Sequence, residues 1–488
     1  MNNIFDKLKA YSDSDYYAFH MPGHKRNLDL MDGTSPYRID ITEIDGFDDL
    51  HHAEGILRDA QERAARVYHA DETHFLVNGS TVGILSAILG TTEKGDSILV
   101  ARNCHKSVYH AIYLNELDPV YLYPKFDTEQ GLSTEIDAAD VQKALEEHPK
   151  IRAVMIVSPT YDGVVSDIEK IAEIVHAKGC PLIVDEAHGA HFGFDPYFPK
   201  SANIYGADLV INSLHKTLPA LTQTALLHVN GDMVKRRKVK QYLDMLQTSS
   251  PSYILMASID ACIGMLEETL ETHSDARSDY KYKNIFSEYA NRIEALRKDL
   301  KRLKYLKIIQ TDNTDRYDRS KFVISVKHAP MSSHELYEIL LHRYHLQMEM
   351  LAGTYVLAMT TVGDTQEGLD RLRDALLEID KEIDTRQGRP AAIETDLPLS
   401  GRQPALEKVW TIAEAVNRRD KIQKRSFEDS IGCISVEYAY LYPPGSPLIV
   451  PGERITKEAV EILHWYQEHD FSIEGLQAED GIEVWIDG

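Results

Sequence analysis

Basic charge is what this chain of 488 residues has too little of: 53 Lys and Arg stand against 77 Asp and Glu, a formal net charge of -24. A field of that sign repels a phosphate backbone, so no nucleic-acid partner is expected. Cysteine is scarce as well. Cys104, Cys180, Cys262 and Cys433 lie far apart with no C-x-x-C spacing, which removes a zinc ribbon or a disulfide framework and fits a reducing, cytoplasmic compartment. No apolar run approaches the roughly 18 residues of a membrane span, and the opening "MNNIFDKLKAYSDSDYY" lacks the apolar core of a signal peptide. What is present is a 43% hydrophobic composition, enough for two or three domains with cores of their own.

From about residue 60 to 230, short β-branched runs alternate with helical segments. "SILVAR" (97 to 102), "AVMIVSP" (153 to 159), "PLIVDEA" (181 to 187) and "ADLVINS" (207 to 213) read as strands. Between them, segments such as "IEKIAEIVHAKG" repeat apolar residues at helical spacing before a Gly stop. This alternation predicts an α/β fold with a covered, mostly parallel sheet. Ligands of such sheets bind beyond the carboxyl ends of the strands. A long helical stretch is expected around 256 to 304, and "KFVISVK" (321 to 327) and "YVLAMTT" (355 to 361) frame a smaller α/β unit. The expected division is an N-terminal arm with a site segment over 1–55, a large domain over 56–275, a small domain over 276–385, a Pro/Gly-rich linker over 386–404 and a C-terminal unit over 405–488.

One strand end carries "VDEAHGAHF", whose Asp185-Glu186-Ala187-His188 spells a box familiar from RNA helicases. A nucleotide motor also needs G-x-x-x-x-G-K-[ST] to cradle its phosphates. The nearest match, "GTTEKGDS" from Gly90, puts Asp96 where the Lys belongs, and an acid there repels a triphosphate. A metal is not expected either: Asp185, His188 and His191 match no zinc spacing and lack a converging further ligand.

A Schiff-base site fits better. Lys216 follows a buried strand, with Ser213 and His215 beside it, and Asp185 ends the strand one step earlier in the alternation. Pyridoxal phosphate (PLP) chemistry needs such a Lys, an acid for the pyridine nitrogen, a phosphate cradle and a flat group against the ring. The small Ala187 leaves room for that ring. Asn78, Gly79, Ser80 and Thr81 precede an apolar helix whose N-terminus favours an anion, although an ordinary helix cap uses the same letters. His105 follows the next strand, where it either stacks on a ring or caps a helix.

The blocks "DITEIDGFDDLHH", "NGST", "RNCHKS", "SPTYDGV", "VDEAHGAH", "SLHKTLPALTQTALLHVNGD", "LQTSSPSY" and "YPPGSPLIVPGE" occur in that order. In this the chain resembles the ornithine/lysine/arginine decarboxylases of bacterial type over nearly its whole length. The resemblance implies a fold-type-I PLP enzyme, similar to aspartate aminotransferase in its large domain, followed by a small α/β domain and a C-terminal decarboxylase domain. It makes Lys216 the imine lysine, Asp185 the pyridinium partner and His105 the ring-stacking group, with Lys216 or His215 returning a proton to Cα. Gly79, Ser80, Thr81, Ser213 and His215 would hold the phosphate, and Thr248 would reach the site of a neighbouring subunit. His188 stands where some members carry a large aromatic. The implied reaction takes a basic L-amino acid (arginine, lysine or ornithine) through an external aldimine and a quinonoid to agmatine or a diamine plus carbon dioxide. Because the "FHMPGHK" segment begins by Phe19, the short branch without a wing domain is expected, as a homodimer with sites completed across the interface or a dimer of dimers. Glu43, Asp45, Asp48 and Asp49 are candidates to read the substrate's head group by family position. An aminotransferase is the enzymatic alternative, and a catalytically idle PLP-fold regulator a further one.

Overall fold

The computed structural model describes residues 11–30, 36–271, 281–310, 314–385, 403–418, 421–442 and 445–486. Its centre is a seven-stranded sheet: β1 (Glu72–Leu76), β2 (Ser97–Ala101), β3 (Asp118–Leu122), β4 (Ile151–Val157), β5 (Leu182–Asp185), β6 (Leu209–Asn212) and β7 (Ala225–Val229), in the order β1-β7-β6-β5-β4-β2-β3. The neighbours from β6 to β3 pair in parallel, while β7 runs antiparallel to both β6 and β1. This is the mostly parallel sheet that the alternation predicts. Every residue of β5, β6 and β7 is buried, as helix-covered faces require. Full burial of each Val, Ile or Leu there stabilises the fold by roughly 1.5–3 kcal/mol.

The covering helices follow from their spacing. In Ile168–Ala177, Ile168, Ile171, Ala172 and Val175 are buried, and the Asp167 side chain accepts from Lys170 N to start the first turn. That is the i, i+3, i+4, i+7 stripe of a half-buried helix. Three strands that the sequence does not announce complete the sheet: β1 and β3 contain polar residues that break an apolar run, and β7 continues directly from the Lys216 segment.

The smaller unit holds β8 (Lys307–Ile308), β9 (Lys321–Ser325), β10 (Met350–Ala352) and β11 (Tyr355–Met359) in the antiparallel order β8-β9-β11-β10. The helical stretch expected around 256 to 304 is two helices, Tyr253–Glu271 and Ile285–Leu300. The N-terminal strand Tyr17–Phe19 pairs in parallel with Leu346–Met348, which ties the arm to the smaller unit. Of the expected linker, residues 386–402 lie outside the described residues. The C-terminal unit has two three-stranded sheets and the helix Lys457–Glu468, whose cap Thr456 accepts from Ala459 N. It has a hydrophobic core of its own, including Leu448, Ile455, Leu463 and Val484.

Candidate active site

The carboxyl ends of β4, β5 and β6 open into a cavity of about 530 Å³. Gly79, Ser80, Thr81, His105, Asp185, Ala187, His188, Ser213, His215 and Lys216 all line it. Thr248 is elsewhere. It is exposed, with its N–H donating to Asn78 Oδ1 at 3.2 Å.

One wall suits an anion. The helix α1 (Gly79–Thr91) begins at the cavity, and Asn78 makes no side-chain cap, so the first N–H groups are not taken by the ordinary capping arrangement. Gly79 adopts φ +72 while its N–H donates to Gln223 O at 2.9 Å, a backbone conformation that a side chain disfavours. The hydroxyls of Ser80 and Ser213 approach to 2.5 Å. His215 turns Nδ1 to Thr224 O at 2.9 Å, which places the neutral ring's proton on Nδ1 and leaves Nε2 as an acceptor. Gly23 of the N-terminal arm packs against the same segment, its N–H donating to His215 O at 2.7 Å. A Cβ on Gly23 would come within 2.7 Å of Leu218 N, so the "MPGHK" segment needs glycine to seat the short helix α2 (Leu214–Thr217).

The deep wall carries an acid. Asp185 is buried at the end of β5, where Oδ1 accepts from Ala187 N at 3.0 Å. Burial pushes its carboxyl above the usual range, and the Lys216 charge opposes that shift. Glu186 takes the opposite side of the chain, as strand alternation dictates. It accepts from Ser201 Oγ, Ala202 N and Asn212 Nδ2 at 2.7–3.1 Å, which fixes the loop behind the sheet. The "DEAH" box therefore splits between a cavity acid and a structural one. His191 also leaves the cavity side, meeting buried Asp318 at 3.1 Å, so Asp185, His188 and His191 do not converge.

Around Lys216 the structure adds groups that the sequence does not reveal. Its Nζ lies 3.0 Å from His188 Nε2, and Lys321 Nζ lies 3.4 Å from His188 Nδ1. Lys321 is fully buried at the start of β9, and burial lowers its pKa to about 8. Burial also lowers the pKa of Lys216, partly offset by Asp185 and Glu349. Tyr161 tilts over His188 with ring centroids 4.4 Å apart and hydrogen-bonds Glu349. The signal available for Lys321 was a charged residue opening an otherwise apolar strand, and for Tyr161 the "SPTYDGV" block itself.

His105 serves two purposes. Its Nδ1 accepts from Ser107 N at 3.3 Å to cap the helix Lys106–Leu114, while its ring lines the cavity. Desolvation and the Lys216 charge hold that imidazole below its ordinary pKa. The C-terminal unit closes the remaining side with Leu448, Ile462 and Tyr466. It is fastened by Glu453 of the "PGE" block, whose carboxylate accepts from buried Arg102 at 3.0 Å.

The acidic segment does not reach this chain's cavity. Asp48 spends its carboxylate on the N–H groups of Glu54, Gly55 and Leu57 at 2.8–3.0 Å, and Asp49 accepts from His51 N at 2.9 Å. Glu43 and Asp45 are exposed and do not line the cavity.

The donor set fits PLP: hydroxyls and unclaimed helix N–H groups for a phosphate, a buried carboxylate for a pyridine nitrogen, the small Ala187 beneath a flat ring and an amine for an aldehyde. Comparison with known proteins agrees. The Orn/Lys/Arg decarboxylase major-domain model matches residues 2–339, and the C-terminal-domain model of the same family matches residues 402–484. Arginine decarboxylase of Bacillus subtilis is 31% identical over 469 residues, 94% of this chain and 92% of that protein. The arginine decarboxylase of Bacillus anthracis is 31% identical over 490 residues, 97% of this chain and 94% of that one. Among solved structures, lysine decarboxylase of Francisella novicida superposes with a TM-score of 0.78 at 18% identity, covering 98% of this chain and 80% of that one. Lysine decarboxylase A of Pseudomonas aeruginosa gives 0.77 at 20%, covering 99% and 80%. These two establish the fold, a fold-type-I large domain with its appended units. The family models over both halves and the Bacillus relatives make this chain a member of the Orn/Lys/Arg decarboxylase family of PLP-dependent amino-acid decarboxylases.

Proposed function

We propose that the protein decarboxylates a basic L-amino acid, arginine in the first place, giving agmatine and carbon dioxide. The observation that carries this reading is the convergence of Lys216, Asp185 and the Ser80/Ser213/His215 wall in one cavity. The choice of arginine rests on the named activity of the Bacillus relatives. Bound PLP supplies an electron-accepting ring that lets the Cα carboxylate leave as carbon dioxide.

The chain's own residues do the rest. Ser80, Thr81, Ser213 and His215 bind the phosphate at the start of α1. Asp185, buried and opposite Lys216, keeps a proton on the pyridine nitrogen. His105 and Ala187, which line the same cavity, would hold the ring, and Lys216 would be the amine that joins the cofactor. Lys216 or His215 then delivers a proton to Cα, so each turnover consumes one proton. Thr248, exposed beside Asn78, reaches the site of a second copy in a homodimer. The four free thiols suit a cytoplasmic setting.

The test is carbon dioxide release from arginine, lysine and ornithine supplied separately to the PLP-loaded chain. Gas from arginine with stoichiometric agmatine supports the reading. Gas from lysine or ornithine alone corrects the substrate, and keto-acid-dependent amino transfer without gas overturns the reaction class.

A further inference from the structure

The line Lys321, His188, Lys216 is unusual because a single buried imidazole separates two lysine amines, one at each ring nitrogen, at 3.4 and 3.0 Å. A neutral imidazole has one N–H and one lone pair. It can accept from only one of the two amines, and it must donate to the other, which is then a neutral amine. Protonating the ring removes the lone pair and puts a second cation beside the ammonium, which burial opposes. The His188 imidazole is indeed held well below its ordinary pKa, first by burial and then by the two lysines.

We propose that Lys321 and His188 form a proton relay for Lys216, in which the three groups share one ammonium charge. This rests on the reading of Lys216 as the amine that joins the cofactor. In the step, the Lys216 ammonium gives a proton to His188 Nε2 while His188 Nδ1 passes its proton to the Lys321 amine. One proton has moved from Lys216 to Lys321, the ring has changed tautomer, and the total charge is unchanged. Lys216 becomes a neutral, nucleophilic amine that the Nε2–H stabilises. The reverse transfer recharges Lys216 when it is released.

Asp318 and Glu349 act on Lys321, with Lys216 and Lys25 opposing them. Asp185 and Glu349 act on Lys216, and His105 and His215 face His188. Lys321 does not line the cavity, so it is a positioning residue that acts through His188.

The experiment follows imine formation rather than turnover. The full chain, stripped of cofactor, is mixed with pyridoxal phosphate between about pH 6 and 10, and the rise of imine absorbance is timed. Lys321→Met moves the pH midpoint of the rate upward by about one unit or more, a fall of about tenfold in rate at pH 7. His188→Phe retains both lysines and gives a similar shift, and the double variant shifts no further than either single one. If His188→Phe leaves the midpoint in place while Lys321→Met moves it, Lys321 acts through its field alone and the relay is wrong. Unmoved midpoints in both variants overturn it too. Should the Lys321 variant fail to fold, His188→Phe decides by itself in the same two directions. Absence of an imine in the unaltered chain overturns the assignment of Lys216, and the relay with it.

Discussion

Arg102 and Lys216 are two cations set just past strand ends of one sheet, and the protein treats them in opposite ways. Arg102 follows β2 and uses both terminal nitrogens: they donate to Pro447 O, Leu448 O and Glu453 at 2.7–3.2 Å. Its guanidinium also lies over the rings of Tyr109 and Tyr121 at 5.6 and 5.1 Å. Lys216 follows β6, and among the described residues its side chain hydrogen-bonds an imidazole that already faces a second lysine. A buried cation with a matched anion and aligned carbonyls is a joint between domains, costly to break and chemically inert. A buried amine without a matched anion is a reagent, because desolvation keeps its neutral, nucleophilic form within reach.

The sharpest way to break the comparison is to remove the reagent. Lys216→Ala should lower decarboxylation by about 10⁴-fold or more and remove the imine absorbance, with little change in melting temperature. The joint should behave in reverse: Glu453→Ala leaves Arg102 charged and unpaired, costing about 3–5 kcal/mol in denaturant unfolding. The paired change Arg102→Met with Glu453→Leu should recover most of that loss. Asp185→Asn keeps the shape of the deep wall but not its charge, and a kcat reduced by about a hundredfold or more with PLP still bound is expected.

The smallest effect lies at the arm. Burial alone would raise the Asp48 carboxyl, but its backbone N–H donors outweigh that and hold it at about 2 against an ordinary 3.8. A carboxylate whose folded pKa is depressed contributes stability above its unfolded pKa. That contribution is therefore complete above about pH 4 and lost as pH falls toward 2. For this half-exposed group, Asp48→Ala should cost about 1 kcal/mol at neutral pH, and the difference from the unaltered chain should vanish in acid unfolding curves.

The joint and the reagent also differ in how far they can be read from sequence. Asp185, Ser213, His215 and Lys216 follow apolar runs directly, and strand ends of a parallel sheet are where ligand groups belong, so the cavity's main wall is legible. The helix start at Gly79 was legible too, but its letters suit a cap equally well. Only the geometry, with Asn78 turned to Thr248 rather than to its own helix, separates the two. Lys321 and Glu349 are brought up against His188 and Tyr161 by the smaller unit, more than a hundred residues along the chain from Lys216, and local pattern carries no information about such a meeting. Arg102 and Glu453 both sit in quoted blocks, yet 351 positions separate them, so their pairing appears only in the fold. The acids of "DITEIDGFDDL" are candidates by family position alone, with a solvated acidic loop an equal reading from sequence, and in this chain Asp48 and Asp49 are occupied with backbone N–H groups.

Lys216, among all the lysines of the chain, is the amine to which the proposed function assigns the bond with the cofactor. Borohydride reduction of the PLP-loaded protein, followed by proteolysis and mass spectrometry, tests it most directly. The expected product carries a phosphopyridoxyl group on the peptide that contains Lys216 and on no other lysine. A label on Lys321 or a surface lysine, with Lys216 unmodified, would contradict that assignment.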